Sequence, residues 1–185
     1  MMTEPTLGNR LNFVDIINKK QYKIAVEIGV RYGWFSKYLL DNSCLEHLSA
    51  IDPWNFNEEN NDPTGSYNIA KRNFHEYGDR VKMIVAKNED VVHLFPINQI
   101  DFVYLDGLHD YLSVKKDLEN WYGRLKNGGC MAGHDYNKNQ WSGLCRAVDE
   151  FVEKYNVKLL FTGVGDMYGE TDFGNISWYF FKDAQ

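Results

Sequence analysis

From Lys23 onward, short runs rich in β-branched and aromatic residues alternate with longer stretches whose apolar residues recur at helical spacing. The runs are KIAVEI (Lys23–Ile28), HLSAI (His47–Ile51), VKMIV (Val81–Val85), IDFVYL (Ile100–Leu105) and CMAG (Cys130–Gly133). Parallel strands covered on both faces read as such runs, and each must be joined to the next by a crossover, usually a helix. This alternation predicts an α/β domain built on a mostly parallel sheet.

Between the runs, Leu11, Val14 and Ile17 predict a first short helix. Residues 33–41 predict a second, with Trp34 and Tyr38 turned inward. Tyr67, Ala70, Phe74 and Tyr77 set a third helix face. The stripe Tyr111, Val114, Leu118, Trp121, Leu125 is the clearest amphipathic pattern, and Asn127-Gly128-Gly129 reads as its C-terminal stop. Trp141, Leu144, Val148, Phe151 and Tyr155 repeat the pattern. Lys158–Thr162 and Ile176–Phe181 bracket a Gly-rich link without helical signal, which predicts an antiparallel pair. Residues 53–65, with two prolines and many Asn, Asp and Glu, read as a long loop of the kind that covers substrates. The expected whole is a Rossmann-like, doubly wound, seven-stranded sheet, mostly parallel with an antiparallel last strand and helices on both faces. Its 185 residues suit one domain, with 1–22 a helical extension.

Composition narrows the function. The net charge of −6 argues against non-specific nucleic-acid binding, which needs a basic surface. No apolar run approaches the roughly 18 residues of a membrane span. The start, MMTEPTLGNR, lacks the basic and apolar regions of a secretory signal. Cys44, Cys130 and Cys145 are too few and too scattered for a disulfide framework, so a cytoplasmic location is expected.

In a doubly wound sheet the ligand crevice lies beyond the carboxyl ends of the strands, at the switch point. Residues after strands one, two, four and five should therefore converge. The first is Glu27-Ile-Gly29-Val30-Arg31-Tyr-Gly33, which is not a GxGxxG loop. A buried Glu27 would repel a pyrophosphate and favour an amine, or it could simply cap the next helix or pair with Arg31. Asp52 stands where a carboxylate commonly takes ribose hydroxyls, or opens the Asp-Pro turn. Trp54 could stack on a base or serve as a packing anchor. Asp106-Gly-Leu-His109-Asp110 and His134-Asp135-Tyr136 should face each other from neighbouring strands. Such crowding suggests a metal, general acid–base work, or plain helix capping, the last especially for Asp110. His47, His75 and His93 read as structural.

VEIGVRYGWFS, AIDPW, DFVYLDGLHDY, LKNGG and AGHDY together resemble class I S-adenosylmethionine-dependent methyltransferases. More narrowly, they resemble the macrocin-type small-molecule O-methyltransferases. The resemblance implies that Glu27 meets the cofactor's amino group and that the backbone from Gly29 through Val30 and Arg31 to Gly33 shapes its carboxylate pocket. It also implies that Asp52 holds the ribose, with Asn88 facing adenine where an acidic residue is often found. In metal-using members the positions of Asp106 and His134-Asp135 hold a divalent ion such as Mg2+ or Mn2+, and that of His109 is the base. His134 replaces a carboxylate there and suits a transition metal better than Mg2+. The implied partner is a small-molecule or sugar acceptor. Competing readings are a non-catalytic binder of S-adenosylmethionine or S-adenosylhomocysteine, a nicotinamide-dependent oxidoreductase, and a hydroxylase sharing the pattern.

Overall fold

A computed structural model describes residues 7–54, 63–163 and 176–183. A 3-10 turn at Arg10–Asn12 leads into α1 (Phe13–Lys20), and strand β1 (Ile24–Ile28) follows. Then come α2 (Trp34–Asn42), β2 (His47–Asp52), α3 (Pro63–Phe74), β3 (Val81–Val85) and the short α4 (Asn88–Val91). The order closes with β4 (Ile100–Leu105), α5 (Tyr111–Tyr122), β5 (Leu125–Gly133), α6 (Ser142–Tyr155), β6 (Leu160–Phe161) and β7 (Trp178–Phe181).

The sheet has seven strands in the order β3-β2-β1-β4-β5-β7-β6. Strands β1 to β5 pair in parallel, whereas β7 runs antiparallel between β5 and β6. The strand order reverses direction between β1 and β4, which places a switch point at their carboxyl ends. Pleating sends alternate residues to opposite faces. Ala25, Phe102 and Tyr104 join Phe13, Ile17, Phe35 and Leu39 in one core layer. Val26, Ile28 and Val103 join Leu118, Trp121, Val148 and Phe151 in the other.

Three expectations need correction. Trp34 is 41% exposed, because it occupies the first turn of α2, where Phe35 and Ser36 take the inward positions. Helix α5 stops at Tyr122, so Leu125 and Asn127-Gly128-Gly129 belong to β5 rather than to a helix end. There Gly128 (φ 76°) makes an irregular entry into the strand, and its backbone is taken by Lys182 O and the Tyr22 hydroxyl. Residues 63–65 begin α3 instead of closing the loop, whose positions 55–62 lie outside the described residues.

Candidate active site

Gly29 is the hinge of the site. Its φ of 83° suits glycine, and a Cβ there would stand 2.0 Å from the Asp106 carbonyl oxygen. The turn after β1 thus lies directly against the turn after β4, locked by Asp106 N donating to Ile28 O at 2.8 Å. Gly33 (φ 76°) starts α2 with the Phe74 ring where a side chain would be.

Between these glycines the loop folds onto Asp52. The Val30 and Arg31 amides donate to its Oδ2 at 2.9 and 2.8 Å, and the Trp54 amide donates to Oδ1 at 2.7 Å. Arg31 takes the left-handed conformation (φ 49°) that a glycine would hold more cheaply. Asp52 itself is buried, and its Oδ2 takes two of these amides and its Oδ1 one. The Trp54 ring is buried against Tyr67, and its indole N–H donates to Arg31 O. It stands as a packing anchor of the loop, the second of the two roles open to it.

Glu27 is 2% exposed and accepts a hydrogen bond from the Ser36 hydroxyl. Burial raises its pKa to about 8, against the opposing pull of Ser36. Arg10 reaches the same region from the N-terminal segment. Its Nη1 lies 3.5 Å from Asp106 Oδ2, and its guanidinium is 5.8 Å from the Phe35 ring centre. No local pattern marks Arg10, since only the path of the chain across the strand ends brings it there.

Beyond β4 and β5, Asp106, His134 and Asp135 offer ligand atoms within 4.8 Å of one another. His109 Nε2 lies 2.7 Å from Asp135 Oδ2, and His134 Nδ1 lies 3.2 Å from Asp135 Oδ1. Burial works against the Asp135 charge, yet its two imidazole partners hold its carboxyl below the usual range. The Asp135 hydrogen bond raises His109. Burial raises Asp106, with His134 the largest counterweight. The His109 ring stacks on Trp141, centroids 4.3 Å apart and planes 22° from parallel. Asp110 caps α5 through the Leu112 and Ser113 amides, as its position suggested.

Asn88 opens the short α4, just past the carboxyl end of β3. Its Oδ1 accepts the Trp121 indole N–H at 3.1 Å, and its side chain also bonds Asp117, whose pKa burial lifts to about 7. The structure therefore gathers Glu27, Asp106, His109, His134 and Asp135 near the switch point, Asp52 under the adjoining loop, and Asn88 against α5. Two carboxylates and one imidazole suit a borderline divalent ion better than a hard one.

A seven-stranded α/β sheet with its polar groups at the β1/β4 switch point defines a nucleoside-binding class of architecture. A family profile described as a methyltransferase domain matches residues 26–136, and the chain belongs to that family. An uncharacterised protein, R132 of Acanthamoeba polyphaga mimivirus, is 32% identical over 124 residues. That match takes in 63% of this chain and 53% of the viral protein, so the chain spans about half its length. Among solved structures, an O-methyltransferase from Bacillus cereus in complex with S-adenosylhomocysteine superimposes with a TM-score of 0.66 at 15% identity. That similarity covers 98% of this chain and 83% of the other. The N-methyltransferase NodS of Bradyrhizobium japonicum gives 0.63 at 13% identity over 95% of each chain. Spermidine synthase of Thermotoga maritima gives 0.66 at 14% identity, covering 95% and 61%.

Proposed function

We propose that this chain is an S-adenosylmethionine-dependent methyltransferase that methylates a hydroxyl of a small molecule or sugar, in the manner of the macrocin-type enzymes it resembles. The observation that carries the reading is the His109–Asp135 pair, which stands at the same switch point as buried Glu27. Two of the structural neighbours, from Bacillus cereus and Streptomyces achromogenes, are O-methyltransferases crystallised with S-adenosylhomocysteine and S-adenosylmethionine.

When bound, S-adenosylmethionine supplies a methyl already activated on a sulfonium. Transfer would form an O–C bond on the acceptor and break the S–C bond, whose electron pair would stay on sulfur. The chain's own tasks are alignment and removal of the hydroxyl proton. With Nε2–H donated to Asp135, neutral His109 keeps its lone pair on Nδ1, the atom that takes the proton. Asp135 steadies the imidazolium so formed. Glu27 would hold the ammonium of the methionine moiety, and Asp52 would hold a ribose hydroxyl. Asp106, His134 and Asp135 would hold a divalent ion, whose positive charge favours a deprotonated acceptor oxygen.

The test has two stages. Calorimetry should show binding of S-adenosylmethionine and S-adenosylhomocysteine but not of NAD. Labelled methyl should then move onto a hydroxyl compound in a metabolite pool, and His109→Ala should slow that turnover about 100-fold or more with cofactor affinity nearly unchanged. Equal turnover in the variant removes His109 from the mechanism. Cofactor binding without any methyl transfer would leave the non-catalytic binder instead.

A further inference from the structure

The amino-acid end of S-adenosylmethionine is a zwitterion, an ammonium and a carboxylate on one carbon. Glu27 answers only the ammonium. A cation near Glu27 would answer the other half, and Arg10, with Nη1 3.5 Å from Asp106 Oδ2, reaches the same strand ends.

Its placement is built. Asn9 accepts from the Leu11 amide, while Asn12 Oδ1 accepts from the Gly8 and Asn9 amides, so the turn carrying Arg10 is tied on both sides. Upstream, buried Leu7 gives its carbonyl to Gly163 N at 2.8 Å, which fastens the segment across the strand ends. The Arg10 side chain is only 17% exposed. Below it, Phe35 packs against Tyr104 with ring centroids 4.4 Å apart, and Tyr104 sits opposite Glu27 in the β1–β4 register. Ser36, next to Phe35, donates to Glu27. Arg10 and Glu27 therefore stand over one floor, made by α2 and two adjacent strands. The contact from Arg10 to Asp106, at 3.5 Å, is long beside the roughly 2.7–2.9 Å of a strong charge-assisted bond. A guanidinium presents a planar fork that matches a carboxylate with two parallel hydrogen bonds.

We propose that Arg10 binds the α-carboxylate of the cofactor's methionine moiety, so that Arg10 and Glu27 form one receptor for an α-amino-acid end. This inference rests on the methyltransferase reading above. It gives the N-terminal segment a role in cofactor selection, and it predicts a marked preference for adenosyl thioethers that keep their carboxylate.

Calorimetry with three probes tests it: S-adenosylhomocysteine, its decarboxylated 3-aminopropyl counterpart, and 5′-methylthioadenosine. Arg10→Ala should weaken S-adenosylhomocysteine on the order of 10–100-fold and leave the other two within about twofold. Arg10→Lys, which keeps the charge and loses the fork, should fall between. Unchanged affinity for methylthioadenosine shows that the nucleoside pocket has survived the substitution. Wild-type affinity of Arg10→Ala for S-adenosylhomocysteine overturns the proposal. So does tighter binding, which would make Arg10 a plug, or an equal loss for all three probes, which would make it a prop of the fold. Failure of the unmodified protein to bind any probe is a different result, and it sinks the methyltransferase reading itself.

Discussion

Glu27 is the costliest residue of the site to keep charged. It lies buried beside the first core layer, accepts from the Ser36 hydroxyl, and has its pKa raised from 4.5 to about 8. Between those values the folded chain holds a proton that the unfolded chain has released. Stability should therefore fall as pH rises through that window, by up to about 1.4 kcal/mol per pH unit. Asp117, Asp106 and His109 are raised too and act with the same sign, so the informative quantity is the difference between proteins. Urea titrations from pH 5 to 8 should show Glu27→Gln gaining on the unmodified protein as pH rises. Asp117→Asn should gain mainly below its own value of about 7. Parallel curves for Glu27→Gln would mean that Glu27 stays ionised. Glu27 and Asp52 could be read from sequence, because a carboxylate at the end of an apolar strand run contributes little to packing and costs much to bury. Arg10 could not, because its meaning depends on contacts with Asp106 and Phe35, residues far along the chain or on another element.

Among the elements, the tight joints between strand ends position the chemistry. Gly29 and Gly128 share a left-handed φ, 83° and 76°, but their surroundings differ. A Cβ on Gly29 meets the Asp106 carbonyl at 2.0 Å, whereas one on Gly128 meets nothing within 4 Å. Gly128→Ala should thus cost about 1 kcal/mol, the strain of the conformation alone. Gly29→Ala must also part the turns after β1 and β4, and should cost about 3 kcal/mol or more. Denaturant midpoints of the two variants measure the gap, and equal losses would show that the turns yield freely. The strands themselves were legible since burial on both faces leaves a largely apolar run, as in IDFVYL, all six residues of which are buried and only Asp101 charged. The entry to β5 was not. Asn-Gly-Gly carries the chemistry of a helix stop, and only the pairing of Leu125 with Ile100 reveals a strand already begun. Trp54 posed the same difficulty: a tryptophan after a strand looks alike whether it meets a base or, as here, its own loop.

Across the whole molecule, parallel pairing makes neighbours of groups that are distant in sequence. The β4–β5 register sets Leu105 beside Gly133, and so delivers Asp106 next to His134 and Asp135. That adjacency could be inferred from strand order before any side chain was placed. The protonation of the cluster could not, because it depends on burial and on Arg10. It bears directly on metal binding. Ligation demands ionised carboxylates and a neutral His134, while burial raises Asp106, so a divalent ion must displace a proton there. Mn2+ should bind more tightly at pH 8 than at pH 6. Its apparent enthalpy should vary with the ionisation enthalpy of the buffer, which reports proton release. Mn2+ at about 100 times its dissociation constant should stabilise the fold by roughly 2.7 kcal/mol, visible as a raised Tm. Mg2+ should do less, since His134 offers nitrogen to an ion that prefers oxygen. Asp135→Asn removes one ligand charge and should abolish the Mn2+ shift. A shift that survives that substitution would place the ion elsewhere, and no shift at millimolar Mn2+ would leave His109 and Asp135 to handle the acceptor's proton alone.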